Sequence, residues 1–176
     1  TEFFPLMSDE DEQKIDKEKN PDVLPILPLR NTVLFPGVII PITITRDRSI
    51  QLIKDAEKGD KIIGVVSQKD SNIELPKVSD LNKIGTVAQI LKVLKMPDGN
   101  ITAVIQGRKR FELDEVISSD PYYKANIKDY IELKPYSDKE FDALVSSIKD
   151  LALRIIDESP NIPNEASIAI KNIKSS

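Results

Sequence analysis

The run from Pro25 to Pro41 sets Pro25, Pro28, Pro36 and Pro41 among apolar residues with no helical spacing. Each proline fixes φ, removes an amide donor and pushes the preceding residue toward extended geometry. A helix is therefore excluded, and the run reads as two strands joined by a tight corner at Phe35-Pro36-Gly37. Val38, Ile40, Ile42 and Ile44 alternate with Ile39, Pro41, Thr43 and Thr45, which is the period of a strand. Pro41 places that strand at a sheet edge or a bulge, because it cannot donate into a ladder on both sides.

The period then changes. From Arg46 to Lys58, Ile50, Leu52, Ile53 and Ala56 form one apolar stripe, which predicts a short helix. Thr45 or Asp47 is the expected cap and Gly59 the stop. Lys61 to Ser67 reads as a strand buried on both faces, followed by a polar loop, Gln68 to Asn82, with an apolar knuckle at Ile73 and Leu75. Ile84 to Met96 runs into the turn Pro97-Asp98-Gly99-Asn100 and returns from Ile101 to Gln106, the strongest hairpin signal in the chain. Phe111 and Leu113 continue the alternation. Tyr123, Ala125, Ile127 and Ile131 predict a last strand, so the sheet region ends near Leu133. Short, mostly antiparallel strands and one helix favour an α+β fold closed into a pseudo-barrel, which removes sheet edges.

Beyond residue 133 the pattern is helical. Ser137 to Glu140 has the form of a capping box. Phe141, Leu144, Val145, Ile148, Leu151, Ala152, Ile155 and Ile156 recur at steps that put them on one face. That face is expected to pack on a second helix, starting near Pro163, and on the β region; the alternative is a heptad seam for a partner chain. Three segments follow: 1–22 as an acidic, disordered leader, 23–133 as a β-rich unit, and 134–176 as a helical unit that is incomplete. The chain opens on Thr1 and stops at Lys174-Ser175-Ser176, which reads as a piece of something longer.

Residues 1–22 hold eight acids against three lysines, so of the total charge of −4 the remainder carries only +1. A near-neutral folded region offers little of the clustered cation that nucleic-acid binding requires. Arg108-Lys109-Arg110 is the one basic cluster, and Glu112, Asp114 and Glu115 beside it favour local pairing. No apolar run is long enough to cross a bilayer. With no signal-peptide pattern and no cysteine, the expected setting is the cytoplasm. Histidine is absent too, so zinc sites of the usual kind, Cys-His nucleophiles and Ser-His-Asp triads are excluded within this chain. No glycine-rich phosphate loop is present either. No catalytic, metal or cofactor residue is assigned.

Pro28-Leu29-Arg30-Asn31 and Leu34-Phe35-Pro36-Gly37 open the recognisable motif. Ile84-Gly85-Thr86-Val87-Ala88 precedes the long hairpin, and Gln106-Gly107-Arg108-Lys109-Arg110-Phe111 follows it. In that order they resemble the amino-terminal, substrate-recognition domain of the Lon family of ATP-dependent proteases. The resemblance implies a PUA-like pseudo-barrel without catalysis of its own, ahead of an ATPase module, where ATP and Mg belong, and a Ser-Lys protease domain. It implies unfolded or damaged proteins as partners, and other Lon subunits in a homohexamer. Candidate substrate contacts are Leu34, Phe35 and Pro36 at the corner, and Ile73 and Leu75 on the polar loop. Phe35 is expected to be buried at the corner, with an exposed apolar contact as the alternative. A stand-alone pseudo-barrel that binds RNA is the competing function.

Overall fold

In the computed structural model the described residues are 20–97, 99–131 and 139–159, with 162, 166, 167 and 170 beyond them. The acidic leader up to residue 19, Ser137 of the capping box and most of the second C-terminal helix lie outside this set. The chain divides into two compact units between Tyr130 and Ile131.

The first unit contains β1 (Val23–Leu29), β2 (Ile39–Ile44), α1 (Asp47–Lys58), β3 (Ile62–Ser67), β4 (Ile84–Lys95), β5 (Ile101–Ser118) and β6 (Tyr123–Asp129). Their order is β2-β5-β4-β3-β1-β6, and β5 pairs again with β6. That second pairing closes β5, β4, β3, β1 and β6 into a ring, with β2 appended to β5. Closure needs β5 to bend, and its ladders with β4 and β6 show register shifts at Thr86/Ala88, Ile90/Lys92, Leu113/Glu115 and Val116/Ser118. All pairings are antiparallel except β1 with β3, which run parallel. Pro41 sits opposite Val104 on β2, whose only ladder among the described residues is with β5, so the missing donor faces the sheet edge as expected.

Strand alternation sorts the apolar residues into two cores. Leu24, Ile26, Ile62, Val66, Val87, Leu113 and Ala125 gather around the fully buried Phe111, inside the ring. A β-carbon at Gly85 would stand 2.7 Å from the Phe111 ring and 2.6 Å from the Val65 carbonyl, so the ring fits only because that position lacks one. On the other face Leu27, Leu29, Leu34, Ile42, Ile63, Ile90 and Ile105 pack with Leu52, Ile53 and Ala56 of α1.

Three expectations need correction. Neither Thr45 nor Asp47 caps α1: Arg46 occupies the N-cap with no side-chain hydrogen bond. Gly59 does stop the helix as expected, as its C-cap at φ −101°, while the left-handed residue is Lys61 (φ 61°), whose amide donates to the Ala56 carbonyl at 3.1 Å. The sheet ends at Asp129, and Ile131 lies exposed beyond it. In the second unit α2 spans Lys139–Glu158, and its apolar residues do not share one environment: Ile156 is buried, whereas Leu144, Ile148, Leu151 and Ile155 are 57–65% exposed.

Candidate polypeptide-binding surface

The link from β1 to β2 is built by the motif residues that are far apart in sequence. Asn31 turns the chain in the left-handed region (φ 49°), which asparagine tolerates, and Gly37 (φ 76°) turns it back. Between them the corner is clamped to the hairpin. The Gly37 amide donates to the Gly107 carbonyl (3.0 Å), and the Gly107 amide donates to the Val38 carbonyl (2.9 Å). The Thr86 hydroxyl, itself buried, donates to the Leu34 carbonyl at 2.6 Å. A β-carbon on Gly107 would collide with the Phe35 carbonyl, so this approach requires glycine.

The clamp decides which way each side chain turns. Leu34 is 3% exposed and belongs to the core. Phe35 is 54% exposed, which corrects the expectation that it fills the corner, and Pro36 is half-buried beside it. Val33, Ile84 and Tyr130 are exposed as well. With Phe35 they rim a cavity of about 460 Å³ whose floor includes Leu34, Val65 and Thr86, and whose one arginine is Arg110. Sequence reasoning named Leu34, Phe35 and Pro36 but not Val33, Ile84 or Tyr130. Their placement depends on strand register, although Ile84, at the head of the Ile-Gly-Thr motif, was a usable signal.

Ile73 and Leu75 stand elsewhere. Leu75 is 73% exposed and lines a second groove, of about 690 Å³, beside the start of α1. Ile73 contributes its carbonyl, which accepts from Gln68 Nε2 (2.9 Å), Arg30 (3.3 Å) and Arg46 (3.4 Å). Gln68 also accepts from Arg46 at 2.7 Å. The loop is further fixed by the Tyr123 hydroxyl on the Pro76 carbonyl (2.9 Å). Burial, and secondarily the neighbouring charge of Arg30, lowers the pKa of Arg46, against an opposing pull from Glu74.

Arg108, Lys109 and Arg110 each interact within the chain. Among the described residues no cluster of acids could hold a metal, and no helix is long and apolar enough to cross a membrane.

A small closed sheet with exposed aliphatic and aromatic side chains on a rigid corner has the make-up of a polypeptide-binding module. The family model for the ATP-dependent protease La (LON) substrate-binding domain matches residues 23–176. The Lon protease of Flavobacterium johnsoniae is 59% identical over 175 residues, covering 99% of this chain and 21% of that protein. That of Cytophaga hutchinsonii is 46% identical over 175 residues, covering 99% and 22%. Among solved structures, the N-terminal domain of the Mycobacterium avium complex Lon protease superposes with a TM-score of 0.68 at 20% identity, covering 86% of this chain and 75% of that one. A Lon N-terminal domain protein from Xanthomonas campestris gives 0.56 at 17% identity, covering 85% and 90%. The chain belongs to the Lon substrate-binding domain family. It spans about a fifth of the length of the curated relatives named here. The RNA-binding alternative gains no support from these comparisons.

Proposed function

We propose that this domain captures unfolded or damaged polypeptide for a Lon-type protease, with the surface rimmed by Val33, Phe35, Ile84 and Tyr130 as the main contact. The observation that carries the reading is the exposed Phe35 on a backbone locked by Thr86 and Gly107. A preformed apolar surface binds an extended chain without first ordering itself, so the cost of binding falls mostly on the ligand. One such surface is small, and affinity on the order of micromolar or poorer suits it. Assembly of several copies, as in a homohexamer, would raise it by avidity. In the whole protein, ATP with Mg and peptide cleavage belong to other segments, and the setting is the cytoplasm.

The test is an anisotropy titration of this chain with labelled, permanently unfolded casein. Val33→Ser with Phe35→Ser should weaken binding by about tenfold or more, the equivalent of one lost apolar side-chain burial, with an unchanged melting temperature. Unaltered affinity in that variant would remove the corner from the binding surface.

A further inference from the structure

The groove beside α1 differs in chemistry from the apolar corner. Its charged lining is Arg30, Arg46, Asp47, Arg48, Glu74 and Lys77, four bases against two acids. Arg30 and Arg46 converge on one backbone carbonyl, that of Ile73, and each meets it only through a long hydrogen bond. Neither makes a salt bridge with a carboxylate among the described residues. Each guanidinium has five N–H donors, so both retain donors with no protein acceptor. The exposed Arg30 and the half-buried Arg46 are thus drawn together with Glu74 near enough to act on Arg46 but not ion-paired to it, which leaves guanidinium donors open to a further anion. The remaining wall mixes the hydroxyl residues Thr45, Ser49, Tyr122 and Tyr123 with an apolar part that includes Leu75 and Pro76. The volume, about 690 Å³, suits a few residues of extended chain.

We infer that this groove reads a carboxylate on the bound polypeptide, with Arg30 and Arg46 as the anion contacts and Leu75 and Pro76 holding the apolar side chain next to it. This rests on the reading of the domain as a polypeptide binder and adds a chemical preference to it. A phosphate polymer fits the groove less well, because Asp47 and Glu74 line the same walls and would repel an extended polyanion. A single carboxylate brings only one charge near them, where a polyanion brings many. The carboxylate has two sources, an acidic side chain and the C-terminus of the polypeptide.

Three short fluorescein-labelled peptides of one Leu- and Phe-rich sequence separate the sources. The first has a free C-terminus and no acidic residue. The second is C-terminally amidated with one internal Glu, and the third is amidated with Gln in its place. The first or the second, or both, should bind this chain about tenfold more tightly than the third, the gain expected of a charge-assisted hydrogen bond. In Arg30→Gln with Arg46→Gln the three affinities should converge. If that variant melts early, Arg30→Gln alone, whose contact is exposed, should narrow the gap. Equal binding of the three peptides by the unsubstituted chain, or a gap that survives both variants, overturns the inference and leaves the polypeptide-binding reading intact. No binding of any peptide removes that reading and the inference with it. A short RNA that binds more tightly than the peptides and is lost in the same variants overturns it in favour of nucleic acid.

Discussion

Replacing Thr86 by valine tests whether the corner that displays Phe35 is held by a hydrogen bond or by shape. Thr86 and valine are nearly the same size, so the substitution removes the donor and leaves packing almost unchanged. The Leu34 carbonyl accepts at 2.6 Å from this hydroxyl and from no other donor among the described residues, in a buried place. A buried carbonyl left without a partner costs about 1–3 kcal/mol. With an unfolding entropy of about 2.1 cal/mol/K per residue, a unit of roughly 110 residues has about 0.23 kcal/mol/K. A loss of about 2 kcal/mol therefore lowers the melting temperature by about 9 °C. Thr86→Ser keeps the hydroxyl and loses a methyl group, so its fall should be clearly smaller. Thermal melts by circular dichroism, with urea titration to confirm the free energy, give both numbers. Amide exchange at Gly37 and Val38 should accelerate in the valine variant only. If Thr86→Val melts with the unsubstituted chain, or Thr86→Ser falls as far as Thr86→Val, the hydrogen bond does not hold the corner.

Adjacent residues on that corner should behave oppositely: Leu34→Ala should cost about 2–5 kcal/mol and Phe35→Ala within about 0.5 kcal/mol of nothing, measured by urea unfolding. Gly107→Ala should destabilise by about 1–3 kcal/mol, since either the Phe35 carbonyl or β5 must move; a melt within error of the parent refutes the close approach. Tyr122 donates to Asp55 at 3.2 Å, and burial first, then the charge and hydrogen bond of Asp55, raise its pKa. Its protonated form is thus favoured by folding, so the stabilisation is present below the ordinary tyrosine pKa and is lost as pH rises through the raised one. Tyr122→Phe should cost about 0.5–1.5 kcal/mol at neutral pH, and the gap to the parent should shrink above pH of about 10; a gap constant with pH contradicts the assignment.

Local punctuation carried most of the fold. The four prolines, the turn at Gly99 and the alternation through Ile42, Ile105 and Phe111 each act within a few residues, and each strand and helix stands close to where they put it. What local pattern lacked was register. Phe35 and Leu34 are equally apolar neighbours, and only the pairing of Gly37 with Gly107 decides that Leu34 goes in and Phe35 out. The helix stop did fall at Gly59, as its local pattern predicts, but the left-handed residue comes two positions later, at Lys61 on the path into β3. The arginine groove was invisible because Arg30 and Arg46 meet only through the carbonyl of Ile73, on a third segment.

Ring closure also imposes an order on the birth of the domain. β1 is the first strand of the unit, yet one of its two ladders is with β6, whose last residue is Asp129. A ribosome delivering the chain from its amino end must therefore release β6 before the ring can seal. Until then β1 and the far half of β5 wait with open edges, able to pair with other nascent chains. A domain proposed to capture unfolded polypeptide thus passes through an interval in which it is itself a polypeptide at risk.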